Sequence, residues 1–224
     1  MPNIKVIYNK PLLNRFVINK RTYDRKDVSI AFTAKVNSKD EAKEILTVTK
    51  FDKKDTLKTI EDKILNSVNK VRTNKDDSGV NGAMNIISKL PGPIMSLIVH
   101  ADKFMDRHDL LPQSLMDDNL YYSTMIVSNL GSIKGGAIYH HLAEFGTGSI
   151  LLTIGEIKKE KVIMEDGTEK VRSMCEFGIT LDERIADGVY FIKAAHMMQD
   201  IVSNPKCLEN EVGEKIEDSL KLKY

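Results

Sequence analysis

Few side chains in this sequence of 224 residues titrate near neutrality: five histidines and two cysteines. His140 and His141 are adjacent in the run A-I-Y-H-H-L. They point to opposite faces of a strand, or diverge by about 100° on a helix, which disfavours joint metal binding. Each remains a candidate base or ligand contact, against the plainer role of a surface or interface residue. His100 and His108 are eight apart with Asp102 and Asp106 between them, and no third ligand completes a metal site. His196 flanks the apolar face of a helix, where a partly buried histidine with a satisfied hydrogen bond is common. Cys175 and Cys207 are too few for a thiolate cage or a disulfide framework. The run Gly131-Ser132-Ile133-Lys134-Gly135-Gly136 lacks the order of a phosphate loop and reads as a turn. Asp187 stands directly before an apolar-periodic helix and is placed to cap it. Arg184 has local carboxylates within reach, Asp182 among them. No metal is expected.

The elements that must position these groups follow from periodicity. Asp27–Val36 alternates Val28, Ile30, Phe32, Ala34 and Val36 with polar residues, which predicts a strand with one buried face. Over Asp55–Val71 the period switches, and Leu57, Ile60, Ile64, Val68 and Val71 form a helical stripe with Asp55 as cap. Lys70–Gly82 is a polar loop leading into an apolar stretch broken at Leu90-Pro91-Gly92-Pro93, after which Pro93 opens a helix at Ile94. Tyr121–Leu130 and Ser149–Ile157 read as strands. Asp166-Gly167 marks a hairpin within the charged segment Lys158–Arg172, so Ile157 and Val171 fall on antiparallel neighbours. Lys158–Lys161 is then a solvated arm of that hairpin. Cys175–Leu181 is a further strand. Val189–Val202 is a helix with Phe191, Ile192, Ala195, Met198 and Val202 on one face, stopped at Asn204-Pro205. Leu208, Val212, Ile216 and Leu220 continue as a narrow stripe four apart. Strands and helices mix without strict alternation, which predicts α/β layers around a mixed sheet.

Composition excludes several functions. The formal net charge is +1, so no field of one sign steers a polyanion here, and aromatics are 6% with no tryptophan, so base-stacking platforms are scarce. Nucleic acid is not an expected partner. The longest apolar run, near Ile94–Val99, falls far short of the roughly 20 residues that span a bilayer, and Met1–Phe16 has no secretory form. No membrane association and a cytoplasmic location are expected.

Two ordered segments carry a resemblance. Val127-Ser128-Asn129-Leu130-Gly131 followed by Ser149–Gly155 (S-I-L-L-T-I-G), then Ile179–Gly188 (I-T-L-D-E-R-I-A-D-G), resemble the catalytic domain of the dihydrolipoamide acyltransferases of 2-oxo acid dehydrogenase complexes. Chloramphenicol acetyltransferase shares that fold. The likeness is good over Tyr121–Pro205 and faint over the amino-terminal half. It implies a chloramphenicol-acetyltransferase-like two-layer fold, a mixed β-sheet with packed helices, and a homotrimer whose active sites lie between subunits. Residues 1–224 then form one acyltransferase-type domain without lipoyl or peripheral-subunit-binding domains.

The resemblance also implies roles. Ser128 matches the serine that donates to the oxyanion of the tetrahedral intermediate. Asn129 and Gly131 belong to its strand-end motif, and Asp182, Arg184 and Gly188 to the framework around the base. Asp187 matches an aspartate that holds an arginine in the family; Arg15, Arg21 and Arg25 are all available to it. The base itself departs: Glu183 stands where the family has histidine. A carboxylate near 4.3 is mismatched to a thiol near 8.5 by about 6 kcal/mol of proton transfer. Only burial that raised Glu183 toward neutrality would close the gap, and a solvated or ion-paired glutamate is the plainer reading. The implied function is acyl transfer between coenzyme A thioesters and a thiol or hydroxyl acceptor, altered or reduced by Glu183, or carried by a relocated His140 or His141. Coenzyme A or acyl-coenzyme A enters as substrate, and no covalently bound cofactor is expected. The alternative is a non-catalytic trimer that binds a ligand or serves as a scaffold.

Overall fold

A computed structural model of the chain describes residues 1–35, 44–73, 89–108, 110–112, 116, 119–144, 146–164 and 166–217. Helix α1 (Pro2–Asn9) opens on a proline, whose missing N–H costs nothing in a first turn. A two-stranded ribbon follows, β1 (Arg15–Ile18) and β2 (Arg21–Asp24). Its two-residue turn, Asn19-Lys20, has φ of 49° and 63°, the left-handed pair that matches the twist of a tight hairpin. Next come β3 (Val28–Lys35), β4 (Glu44–Phe51) and α2 (Leu57–Thr73). Helix α3 (Gly92–Arg107) starts with Pro93 in its first turn. Strands β5 (Met125–Asn129), β6 (Ile150–Ile163) and β7 (Glu169–Leu181) precede α4 (Gly188–Ser203). No helix among the described residues is long and apolar enough to cross a membrane.

The main sheet has the order β4-β3-β5-β6-β7, with β5 parallel to both β3 and β6 and the outer pairs antiparallel. This is the mixed sheet that irregular alternation predicts. Alternating strand residues Val28, Ile30, Met125, Ile150 and Leu152 face a helical layer and meet Ile4 and Ile7 of α1 with Ala194, Met197 and Ile201 of α4. Lys5 is fully buried beneath the chain's later residues, its Nζ donating to Glu211 O at 2.8 Å and lying 3.6 Å from the Glu214 carboxylate.

Strands β6 and β7 form the expected hairpin, closed by residues 164–168 with Gly167 at φ 78°. It runs well past β5, whose pairing with β6 ends at Ile154. Beyond that row it is a free two-stranded ribbon, with Ile157 and Ile163 each 74% exposed and Val171 64% exposed. A bulge between Ile154 and Ile157 marks the change.

Several expectations need correction. The segment from Tyr121 starts in a 3₁₀ turn over Leu120–Tyr122, because Asn119 Oδ1 accepts the Tyr121 N–H, and the strand begins at Met125. Asp55 does not cap α2; its carboxylate accepts the Asp52 N–H and pairs with Lys63 Nζ at 2.5 Å, while Thr56 and Thr59 bond reciprocally across the first turn. Along α4 the buried face is Ala194, Met197 and Ile201, with Phe191, Ala195 and Met198 flanking it; Ile192 and Val202 are exposed, and so is His196. The stripe Leu208, Val212, Ile216 docks on the body, with Leu208 in a 3₁₀ turn over Pro205–Glu209: Val212 N–H donates to Asp55 O and Gly213 N–H to Lys53 O, while Leu220 lies outside the described residues. The loop expected over Lys70–Gly82 begins later, since α2 reaches Thr73, and its remainder also lies outside them.

Thr153, fully buried on β6, donates its hydroxyl to Ile138 O at 2.5 Å and accepts the Ile138 N–H at 3.2 Å. One side chain thus pins the segment that crosses β6 and β7. Thr153→Val keeps the shape but orphans both backbone groups, and thermal unfolding is expected to show a loss of about 1–3 kcal/mol.

Candidate functional site

Ser128 occupies the carboxyl end of the central strand β5, opposite Thr153 of β6, which in turn faces Gly178 of β7. Its half-buried hydroxyl has no hydrogen-bond partner among the described residues and is available as a donor. The next residue turns the chain. Asn129 Oδ1 accepts the Ser132 N–H at 3.3 Å, its carbonyl accepts the Ser132 hydroxyl at 2.8 Å, and Lys134 adopts φ 60°. Gly131-to-Gly136 is therefore the turn its composition predicts. Gly131 is required there, since a Cβ would stand 2.5 Å from Gly155 O, and a Cβ on Gly178 would stand 2.5 Å from Ile138 O. These two positions let residues 131–138 lie flat across the sheet.

The second motif forms the turn from β7 into α4. Asp182 N–H donates to Ser149 O at 3.0 Å, and buried Ile185 anchors the turn to the core. Arg184 grips Asp182 bidentately, Nε to Oδ1 at 2.8 Å and Nη2 to Oδ2 at 2.6 Å. Burial pulls the Asp182 carboxyl upward, but the hydrogen bonds and charge of Arg184 outweigh it and hold it below the usual carboxylate value. Arg184 is thereby neutralised by the partner its sequence position suggests. Glu183 between them is exposed and has no ion-pair partner among the described residues. It lines a cleft of about 450 Å³ with Asp182, Arg184, Asp106, Arg107 and Glu144.

Asp187 caps α4, its Oδ1 accepting the Tyr190 N–H at 2.8 Å. No arginine meets it among the described residues: Arg15 pairs with Asp24 at 2.7 Å, and Arg25 turns to the carbonyls of Tyr122 and Thr147. Gly188 is the first residue of the helix. His140 and His141 are exposed on the extended segment after Ile138. His100 Nδ1 donates to Ser96 O within its own helix, and His108 packs on Phe104. No group of three or more His, Cys, Asp and Glu among the described residues is placed to hold a metal ion.

Within one chain the two motifs do not meet. Leu181, the last residue of β7, pairs with Ile150, which pairs with Met125 at the amino end of β5. It therefore lies three residues from the row of Ser128 and two strands across, roughly 10 Å in each direction. Glu183 follows farther along the same way.

Sequence reasoning missed the groups that hold the cleft wall. Asp106 accepts the Tyr122 hydroxyl at 2.5 Å and the Gly146 N–H at 3.2 Å, tying α3 to the turn at Gly146–Ser149. Burial, then the Asp106 hydrogen bond, pushes the Tyr122 hydroxyl well above its usual value. Tyr121 O accepts from both Thr147 and Gly148, and Ser149 Oγ donates to Arg15 O. Only the glycines at 146 and 148 hinted at this turn.

A model described as 2-oxoacid dehydrogenases acyltransferase (catalytic domain) matches residues 109–209. A search of curated proteins found no match. Among solved structures, a probable dihydrolipoamide acetyltransferase from Listeria monocytogenes is 17% identical, covering 90% of this chain and 67% of its own, with a TM-score of 0.60. The dihydrolipoamide acetyltransferase of Azotobacter vinelandii, a structure concerned with the catalytic roles of a serine, a histidine and an asparagine, is 12% identical over 92% and 67%, with a TM-score of 0.61. A truncated catalytic core of the 2-oxoacid dehydrogenase multienzyme complex from Thermoplasma acidophilum is 14% identical over 90% and 70%, with a TM-score of 0.52. The fold is thus that of the acetyltransferase catalytic core. Over residues 109–209 the chain also matches the sequence pattern of the 2-oxoacid dehydrogenase acyltransferase catalytic domain.

The cap role of Asp187 can be tested directly. Asp187→Asn keeps the acceptor and is expected to hold the melting temperature within experimental error, whereas Asp187→Ala should lose about 1 kcal/mol.

Proposed function

We propose that this chain is an acyltransferase-type protein that acts on a coenzyme A thioester and a thiol or hydroxyl acceptor, with activity lowered by Glu183. The carrying observation is the placement of the two motifs: Ser128, a free donor at one end of the sheet, and the Asp182–Gly188 turn at the other, each formed and neither facing the other in one chain. A homotrimer resolves that separation, with Ser128 of one copy meeting Glu183 of the next. The ribbon beyond Ile154 supports this reading, because an isolated two-stranded ribbon bearing exposed Ile157, Ile163 and Val171 needs a surface to cover it. We place the assembly in the cytoplasm.

In this site Ser128 donates to the oxyanion, and Asp182, Arg184 and the Asp187 cap fix the turn that carries position 183. A carboxyl side chain at position 183 is mismatched to a thiol proton where an imidazole is not, so the step it would assist is slow. The exposure of Glu183 equally favours the second reading, a trimer that binds the thioester without turning it over.

Three measurements test the proposal. Acetyl transfer from acetyl-coenzyme A to dihydrolipoamide should rise at least ~10-fold in Glu183→His; wild-type turnover at ordinary enzyme rates would refute a weakened base. No thermal shift with coenzyme A or acetyl-coenzyme A would count against both readings. Ile157→Glu should convert the trimer to monomer in light scattering while circular dichroism stays unchanged.

A further inference from the structure

A second cleft, of about 460 Å³, shares Ile18 and Thr147 with the Glu183 cleft but opens on the β1–β2 side. Arg25 lines it, with its Cζ 4.7 Å from the centre of the Phe16 ring. Nη1 donates to Tyr122 O at 2.7 Å; Nη2 donates to the Thr147 carbonyl and, at 2.9 Å, to its hydroxyl. Every acceptor is neutral. Nε is buried and has no acceptor among the described residues. Burial pushes the guanidinium down to about 10, with no carboxylate to offset it.

The acids of the cleft are already engaged elsewhere. Asp24 faces Arg15 at 2.7 Å, and Asp27 faces Lys50 at 3.9 Å. Lys26, exposed on the same rim, has no carboxylate partner among the described residues. Two positive charges thus border one cavity with no carboxylate partner among the described residues, one of them desolvated, and a desolvated cation left uncompensated is costly. The cavity has the size of a small-molecule site and an apolar wall at Phe16, Ile18 and Val48.

We propose that this cleft binds a small oxyanion, a carboxylate- or phosphate-bearing molecule, whose charge is met by Arg25 and Lys26. The site is separate from the motifs at Ser128 and Glu183, and it stands whether or not the chain transfers acyl groups. Because Thr147 lies in both clefts, an anion beside Arg25 sits against the wall of the Glu183 cleft.

Arg25 holds the Thr147 turn and is a poor residue to replace, so the test uses Lys26. Thermal unfolding of the full chain is followed against inorganic phosphate and against citrate, each compared with sodium chloride at equal ionic strength. A saturating rise in melting temperature of a few degrees at about ten times Kd is expected with at least one probe. Which probe acts separates phosphate from carboxylate chemistry. Lys26→Glu should weaken that binding at least ~10-fold, whereas Lys159→Glu, the same charge change on the distant hairpin, should leave it unchanged. No rise beyond chloride with either probe, or an equal loss in both variants, overturns the proposal.

Discussion

The position of β5 between two parallel neighbours constrains everything else in this molecule. A strand parallel to both β3 and β6 must be entered and left by long connections at opposite ends of the sheet. Its carboxyl end carries Ser128. Since β7 runs antiparallel to β6, the chain leaves β7 at the other end, and the Asp182–Gly188 turn forms there. No side-chain rearrangement brings the two motifs together within a chain; only a second copy can. The topology thus makes association a chemical requirement of the proposed reaction as well as a way to cover apolar surface.

Around that frame, backbone groups are fixed by partners distant in sequence. Thr153 pins Ile138, and Tyr121 O and Asp106 pin the Gly146–Ser149 turn. Some ion pairs are local, Asp182 with Arg184 and Asp55 with Lys63, while Lys5 reaches Glu214 near the other end of the described chain. Asp55 illustrates the balance, since burial works to raise its carboxyl while Lys63, the Asp52 N–H and Thr59 together hold it below the usual value. The groups left over, Glu183 on one side of Thr147 and Arg25 on the other, are of opposite sign. The two clefts accordingly favour different ligands.

Legibility in the sequence followed the range of the interactions. The β6–β7 hairpin, the Pro93 start of α3 and the Asp187 cap depend on neighbours a few residues away, and they are read directly from Asp166-Gly167, from Leu90–Pro93 and from the residue before Gly188. The partners of the tail were not legible from the spacing of Leu208, Val212 and Ile216, because the N–H groups of Val212, Gly213 and Ile216 bond to Asp55 O, Lys53 O and Asn9 Oδ1, far back in the chain. Ile192 and Val202 misled for a related reason: an apolar residue counts toward a stripe whether its partner is the same chain's core or something outside it. The motifs at Ser128 and Asp182–Gly188 were legible only through family resemblance, since nothing in their local composition sets them apart. For Arg25 the sequence offered only a possible pairing with Asp187, because its actual partners are the Tyr122 and Thr147 carbonyls and the Thr147 hydroxyl.

The same central strand sets the order in which the chain can fold. Met125 of β5 pairs with Ile30, 95 residues earlier, whereas β6 and β7 meet across a short turn. Closing the first loop sacrifices far more chain entropy than closing the second, and that loss precedes any gain from the strand's contacts. The hairpin is therefore an early, local structure and the seating of β5 a late one. Until it is seated, β3 and β6 each expose an unpaired edge, so the window for misassociation between nascent copies is set by the strand that carries Ser128.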